Sequence, residues 1–155
     1  MTLHLVCDTS GSMGDGGKPL IVRTLVLAVA QWARFESASA ELTLSGWGAH
    51  MRAYPDWHAD LPYPEQLLAC EGESNGESLT RMLEAHSADT FLLFTDGFWQ
   101  GGEKQLKRWR GCLPPGALRI VRIGVDANPR IKGDCVFAAE DLLAALDGWP
   151  EGGRP

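Results

Sequence analysis

The chain has 155 residues and a formal net charge of −6, a length that suits one domain because domains cluster near ~100–150 residues. Its 45% hydrophobic and 22% charged residues are the composition of a folded globule, which excludes wholesale disorder. The pI of about 5.1 excludes nucleic acid or an anionic membrane surface as the main partner, since both need a basic footprint.

No stretch approaches the ~18–20 apolar residues of a membrane span, and no basic region precedes the apolar run at residues 3–7, so no signal peptide is read. Cys7, Cys70, Cys112 and Cys135 are far apart and form no CxxC pair. They read as reduced thiols, and the predicted location is cytoplasmic.

In chain order, residues 3–7 (LHLVC) form a short apolar run ending at Asp8, as a buried strand does. A small-residue stretch, DTSGSMGDGG, follows. Lys18-Pro19 opens a predicted helix to about Glu36, with Leu20, Leu25, Leu27, Ala28, Val29 and Trp32 expected inside. Residues 41–47 and 50–54 read as two strands with a tight connection. Residues 55–70, rich in Pro and aromatics, read as a loop with a helical turn.

Residues 74–86 read as a helix with Leu79, Met82 and Leu83 on one face. TFLLFT, residues 90–95, is the clearest buried strand and also ends at an acid, Asp96. A polar helix over 103–110, a strand over 118–125 and a closing helix over 138–146 complete the domain, assigned to residues 1–148. Residues 149–155 are a short Gly/Pro-rich tail, expected to be flexible. Strands alternating with helices predict an α/β fold with a mostly parallel sheet covered on both faces. In such sheets function gathers beyond the carboxyl ends of the strands, and Asp8 and Asp96 both sit at such ends.

In Asp8-Thr9-Ser10-Gly11-Ser12-Met13, three oxygen-bearing side chains stand at alternate positions of a loop leaving a strand. One carboxylate and two hydroxyls are hard ligands, suited to Mg²⁺ or Mn²⁺ rather than to zinc, which favours nitrogen and sulfur. Asp96, followed by Gly97, can bring a second carboxylate to the same place.

These residues resemble the D-x-S-x-S start of the metal-ion-dependent adhesion site of von Willebrand factor A domains. Leu92-Leu93-Phe94-Thr95-Asp96-Gly97 resembles that family's later strand ending T-D-G. The resemblance runs nearly the whole length and implies a three-layer Rossmann-like fold with one antiparallel edge strand, of the bacterial stand-alone type. It also implies that Ser10 and Ser12 contact a metal directly, and that Asp8 and Asp96 act directly or through water. The family's middle-loop threonine corresponds to Ser74, or to Glu77 under a three-residue shift. An open metal position would then receive a carboxylate from a partner protein, with Phe98 and Trp99 on the rim. By resemblance, the partner is an AAA+ ATPase of the MoxR kind or a component of a stress or conflict system; the metal is Mg²⁺, or else Mn²⁺ or Ca²⁺.

Plainer readings stand beside these. Asp8, Ser10 and Ser12 could form a turn and N-cap cluster, Ser74-x-x-Glu77 is a capping box, and Trp47 is expected to pack. His4, His50, His58 and His86 do not pair at ligand spacing, so packing or surface roles are expected. As to function, the expectation is a non-enzymatic protein-binding domain. A Mg²⁺-dependent phosphohydrolase is the enzymatic alternative, but Ser10 stands where haloacid-dehalogenase-type phosphatases carry a second Asp, and no G-x-x-x-x-G-K-[ST] loop is present. A metal-free scaffold of the same fold is the third reading.

Overall fold

The computed structural model describes residues 2–36 and 40–149. Strand β1 (Thr2–Asp8) leads through a 3₁₀ turn at Gly11–Gly14 into helix α1 (Lys18–Phe35). The hairpin β2 (Glu41–Trp47) and β3 (Met51–Ala53) follows, then a long loop with a 3₁₀ turn at Glu65–Leu68. Next come α2 (Gly76–Ala85), β4 (Thr90–Thr95), α3 (Gly102–Gly111), β5 (Leu118–Arg122), β6 (Val136–Ala138) and α4 (Leu142–Leu146). The six strands make one sheet in the order β3-β2-β1-β4-β5-β6. All neighbours are parallel except the β2–β3 edge pair.

Alternation along the central strands builds two cores. Leu3, Leu5 and Cys7 of β1 and Leu92 and Phe94 of β4 face Val22, Val26 and Val29 of α1 and Leu142 and Leu146 of α4. Val6 of β1 and Phe91 and Leu93 of β4 face Leu79 and Leu83 of α2 and Leu106 and Trp109 of α3. Each such aliphatic or aromatic side chain, once buried, contributes about 1.5–3 kcal/mol. This is the three-layer arrangement the alternating elements predict. No helix among the described residues is long and apolar enough to cross a membrane, and the four cysteines are free.

Several expectations need correction. In α1 the buried stripe is Val22, Val26, Val29, Ala30 and Ala33, whereas Leu20 and Leu27 are 52% and 39% exposed. Leucines, valines and alanines offer several apolar faces in this helix, and packing against the sheet selects the valine–alanine one. The strand expected over 118–125 stops at Arg122, because the chain turns at Gly124 (φ 93°) and leaves Val125 fully exposed. Residues 138–146 are not one helix: Ala138 ends β6, and α4 starts only at Leu142 after a 3₁₀ turn. Trp149, assigned to the flexible tail, is 2% exposed, donates its indole N–H to Gly116 O (3.1 Å) and lies under the Arg119 guanidinium. The rest of that tail lies outside the described residues.

Candidate functional site

The chain passes from β1 to β2 on one side of β1 and later crosses to β4 on the other. The switch in strand order therefore falls between β1 and β4, where an open α/β sheet leaves a crevice beyond its carboxyl ends. Asp8 ends β1, and Asp96 directly follows β4. Topology thus places the two acids side by side from positions 88 residues apart.

Asp8 is 2% exposed and held at both oxygens. Its Oδ1 accepts from the Ser10 backbone N–H (2.9 Å) and the Ser74 hydroxyl (2.6 Å); its Oδ2 accepts from the Thr95 hydroxyl (2.6 Å). Burial raises the Asp8 pKa, and the hydrogen bonds from Ser74, Thr95 and Ser10 oppose that rise. Ser10 and Ser12 Oγ lie 3.3 Å apart. That is close to the ~3.0 Å edge of an octahedron of oxygens around Mg²⁺, and the surrounding donors are hard oxygens, so these residues fit a small divalent cation. Asp96 is fully buried, and one of its oxygens accepts from the Phe98 backbone N–H.

Ser74, and not Glu77, reaches this cluster. Ser74 is fully buried and also donates to the Trp47 carbonyl (3.2 Å). The capping-box reading is corrected: Asn75 caps α2, its Oδ1 accepting from the Glu77 and Ser78 backbone N–H groups. Glu77 faces solvent and pairs with Arg108.

Three side chains beyond the five expected ligands contribute to this site. Thr95 anchors Asp8, as above. Lys18, at the start of α1, is 3% exposed; its ammonium donates to Asp96 Oδ2 (3.3 Å), to the Asp126 carboxylate (3.0 Å) and to the Ser12 carbonyl (3.1 Å). Burial pulls the Lys18 pKa down, but Asp126 and Asp96 outweigh it, so the net shift is upward, and Lys18 in turn holds Asp126 below its ordinary value. With Asp126 added and Lys18 set against it, the site keeps a net charge of two negatives, matched to one divalent cation. A signal for Asp126 existed: it follows the third strong strand as Asp8 and Asp96 follow the first two. Nothing in the sequence marks Lys18, whose position reads as an ordinary helix start.

Gly124 makes room for this lysine. A Cβ there would stand 2.7 Å from both Lys18 Cε and Asp126 Oδ1, on a backbone at φ +93°. Gly124→Ala is expected to lower stability by ~1–3 kcal/mol from backbone strain together with the clash. Denaturant unfolding checks this; an unchanged midpoint would mean that the loop relaxes freely.

Phe98 is 48% exposed, and its backbone N–H donates to Asp96. Trp99 is not on the rim. It is 6% exposed, donates to the Gly102 carbonyl (2.9 Å) and packs against Trp47 and Trp109 with ring centroids 6.0 and 4.9 Å away. The turn after Gly97 alternates sides, so only one of two adjacent aromatics can face out. Trp47 packs, fully buried. The histidine expectation also changes: His4 and His86, 82 residues apart, meet at ring centroids 4.8 Å apart.

The strand order and layers so described are those of a Rossmann-like α/β domain; more specifically, the chain has the von Willebrand factor A fold. Similar solved structures include a von Willebrand factor type A protein from Catenulispora acidiphila (TM-score 0.63, 15% identity, 97% of this chain and 41% of that one). Another is proximal thread matrix protein 1 from the mussel byssus, solved with a zinc-occupied MIDAS motif (TM-score 0.63, 11% identity, 96% and 45%). A third is the pilus adhesin SpaC from Lactobacillus rhamnosus GG in its open conformation (TM-score 0.60, 12% identity, 98% and 30%). The chain spans less than half the length of each. No family model matches the sequence, and no curated protein matches it significantly.

Proposed function

We propose that this chain is a non-enzymatic, divalent-metal-dependent protein-binding domain, an adaptor or subunit acting in the cytoplasm. Asp8, Ser10, Ser12, Ser74 and Asp96 would hold Mg²⁺, or Mn²⁺ or Ca²⁺ in its place. The observation that carries this reading is the pair of converging Ser10 and Ser12 hydroxyls beside two buried carboxylates at the switch point. The cation would give an acidic protein a local positive centre, able to receive a carboxylate that its overall charge would repel. Phe98, half-exposed beside Asp96, is the aromatic anchor of the docking rim, with exposed Val125 beyond the neighbouring strand. An AAA+ ATPase, or a component of a stress or conflict system, is the proposed partner.

Asp8 fits a structural anchor better than a nucleophile, since both its oxygens are engaged and it is 2% exposed. That weighs against the phosphohydrolase alternative. A metal-free scaffold is the second reading, and Lys18 favours it, because its ammonium already partners Asp96. Calorimetric titration of Mg²⁺ and Mn²⁺ separates the two. The metal reading expects saturable binding that weakens at least ~tenfold in Ser10→Ala/Ser12→Ala with the fold retained; absence of heat at several millimolar would leave the scaffold. Affinity purification with and without chelator then reads the partner, whose capture should disappear with the metal.

A further inference from the structure

A second group of ligating side chains lies at the other end of the sheet. His4 of β1, His86 at the C-terminal cap of α2 and Asp89 just before β4 offer ligand atoms that all lie within 4.8 Å of one another. His4 Nε2 is 2.8 Å from Asp89 Oδ2, and His86 Nδ1 is 3.6 Å from the same oxygen. Ligands around a tetrahedral Zn²⁺ at ~2.0–2.1 Å stand ~3.3 Å apart, so the two separations bracket the required edge. His86 is 48% exposed and free to close the third edge by a side-chain rotation.

The site has the supporting shell a metal-binding histidine needs. His4 is 5% exposed, its ring stacks on Phe91 at 4.7 Å, and its Nδ1 is 2.6 Å from the Thr43 hydroxyl on β2. With Nδ1–H donating to Thr43, Nε2 turns its lone pair toward the Asp89 carboxylate, two lone-pair ligands 2.8 Å apart that a cation would join. In the other tautomer Nε2–H donates to Asp89, so a proton and a metal compete for one position. Asp89 is tied to His86 through its backbone N–H on the His86 carbonyl (2.9 Å).

From this geometry we propose that His4, His86 and Asp89 form a Zn²⁺ site, distinct from the hydroxyl loop, with a fourth position open to water or to a side chain of another protein. Two imidazoles and one carboxylate select a borderline ion over Mg²⁺, which prefers oxygen alone. The two sites are separate: His4 and Asp8 are four residues apart on β1, about 13 Å at the rise of a strand. The ion would clamp the start of β1 to the α2–β4 connection.

The test is a calorimetric titration of Zn²⁺ into the full chain in millimolar Mg²⁺, which keeps the hard-oxygen loop supplied with its own ion. Ser10→Ala/Ser12→Ala should retain one equivalent of Zn²⁺ at wild-type affinity. His86→Ala and Asp89→Ala should weaken that equivalent at least ~tenfold, and Thr43→Val should weaken it by ~10–100-fold through loss of the ring's orienting partner. His86 is on the surface, so circular dichroism should show its variant folded. Equal Zn²⁺ binding in wild type, His86→Ala and Asp89→Ala would overturn the proposal, as would loss of all binding in Ser10→Ala/Ser12→Ala, which would place the zinc at the loop. Neither outcome depends on whether the loop binds Mg²⁺.

Discussion

Trp109→Ala is expected to cost about 3–5 kcal/mol of folding stability, a loss of roughly 6–20 °C in Tm for a chain of this size. Trp109 is fully buried between α3, α2 and the sheet. Its ring meets Trp47 edge-on at 5.4 Å and Trp99 at 4.9 Å, and its indole N–H donates to the Thr80 hydroxyl (3.0 Å) and the Gly76 carbonyl (3.3 Å). Truncation removes one of the three tryptophans of that core and leaves a cavity that the two rigid neighbouring indoles cannot fill. Trp109→Phe should cost less, losing the hydrogen bonds and part of the volume. The damage should also reach the site. Trp47 donates its indole N–H to the Asn75 carbonyl (2.7 Å), and its own carbonyl accepts from Ser74 and from the Thr9 backbone. Chemical denaturation measures the first effect. A metal affinity reduced in Trp109→Ala while the chain is still folded measures the second; unaltered affinity would show that the tryptophan cluster carries stability alone.

Lys18→Met should make the domain dependent on its cation. Removing the ammonium leaves Asp96 buried and uncompensated, and breaking a buried pair from one side costs about 3–5 kcal/mol. A divalent ion held on Asp96 would replace the lost charge. The same substitution removes a positive charge within a few ångströms of the ion, a repulsion of several kcal/mol at an effective dielectric of ~20. Mg²⁺ should therefore bind Lys18→Met at least ~tenfold more tightly than wild type. It should also raise the Tm of the variant more steeply with concentration, as linkage requires of a ligand that binds only the folded state. Thermal melts across a Mg²⁺ series read both. Equal responses in the two proteins would mean that the lysine and the ion do not share Asp96.

Much of the fold was legible in local pattern. TFLLFT at residues 90–95 is a strand within its predicted bounds, because an unbroken apolar run ending in an acid and a glycine fits little else. The long helix begins at Lys18, with Pro19 in its first turn where proline's missing N–H costs nothing. Its buried face was misread, since leucines, valines and alanines offer several stripes and only the sheet selects one. The three-residue β6 carries too few side chains for any pattern, and its pairing with β5 is a backbone matter. At the site, Asp8, Ser10 and Ser12 were visible as one compact loop motif, and Thr95-Asp96-Gly97 as a second strand end of the same kind. Lys18 and the meeting of His4 with His86 and Asp89 leave no such motif.

By itself, then, the run of strands and helices determined an α/β fold with a mostly parallel sheet, and the loop after β1 determined which oxygens could serve a hard cation. Local spacing suffices for these, since helix and strand periods and a six-residue ligand loop are written within a few residues of chain. Only the tertiary structure decided how the −6 charge is deployed around the site. It seats Lys18 among Asp96, Asp126 and the Ser12 carbonyl, turns Ser74 from a helix cap into a partner of Asp8, and folds Trp99 inward while leaving Phe98 exposed. These are contacts between residues up to 108 positions apart, and side-chain burial and charge pairing at that range depend on strand order, which no local pattern specifies.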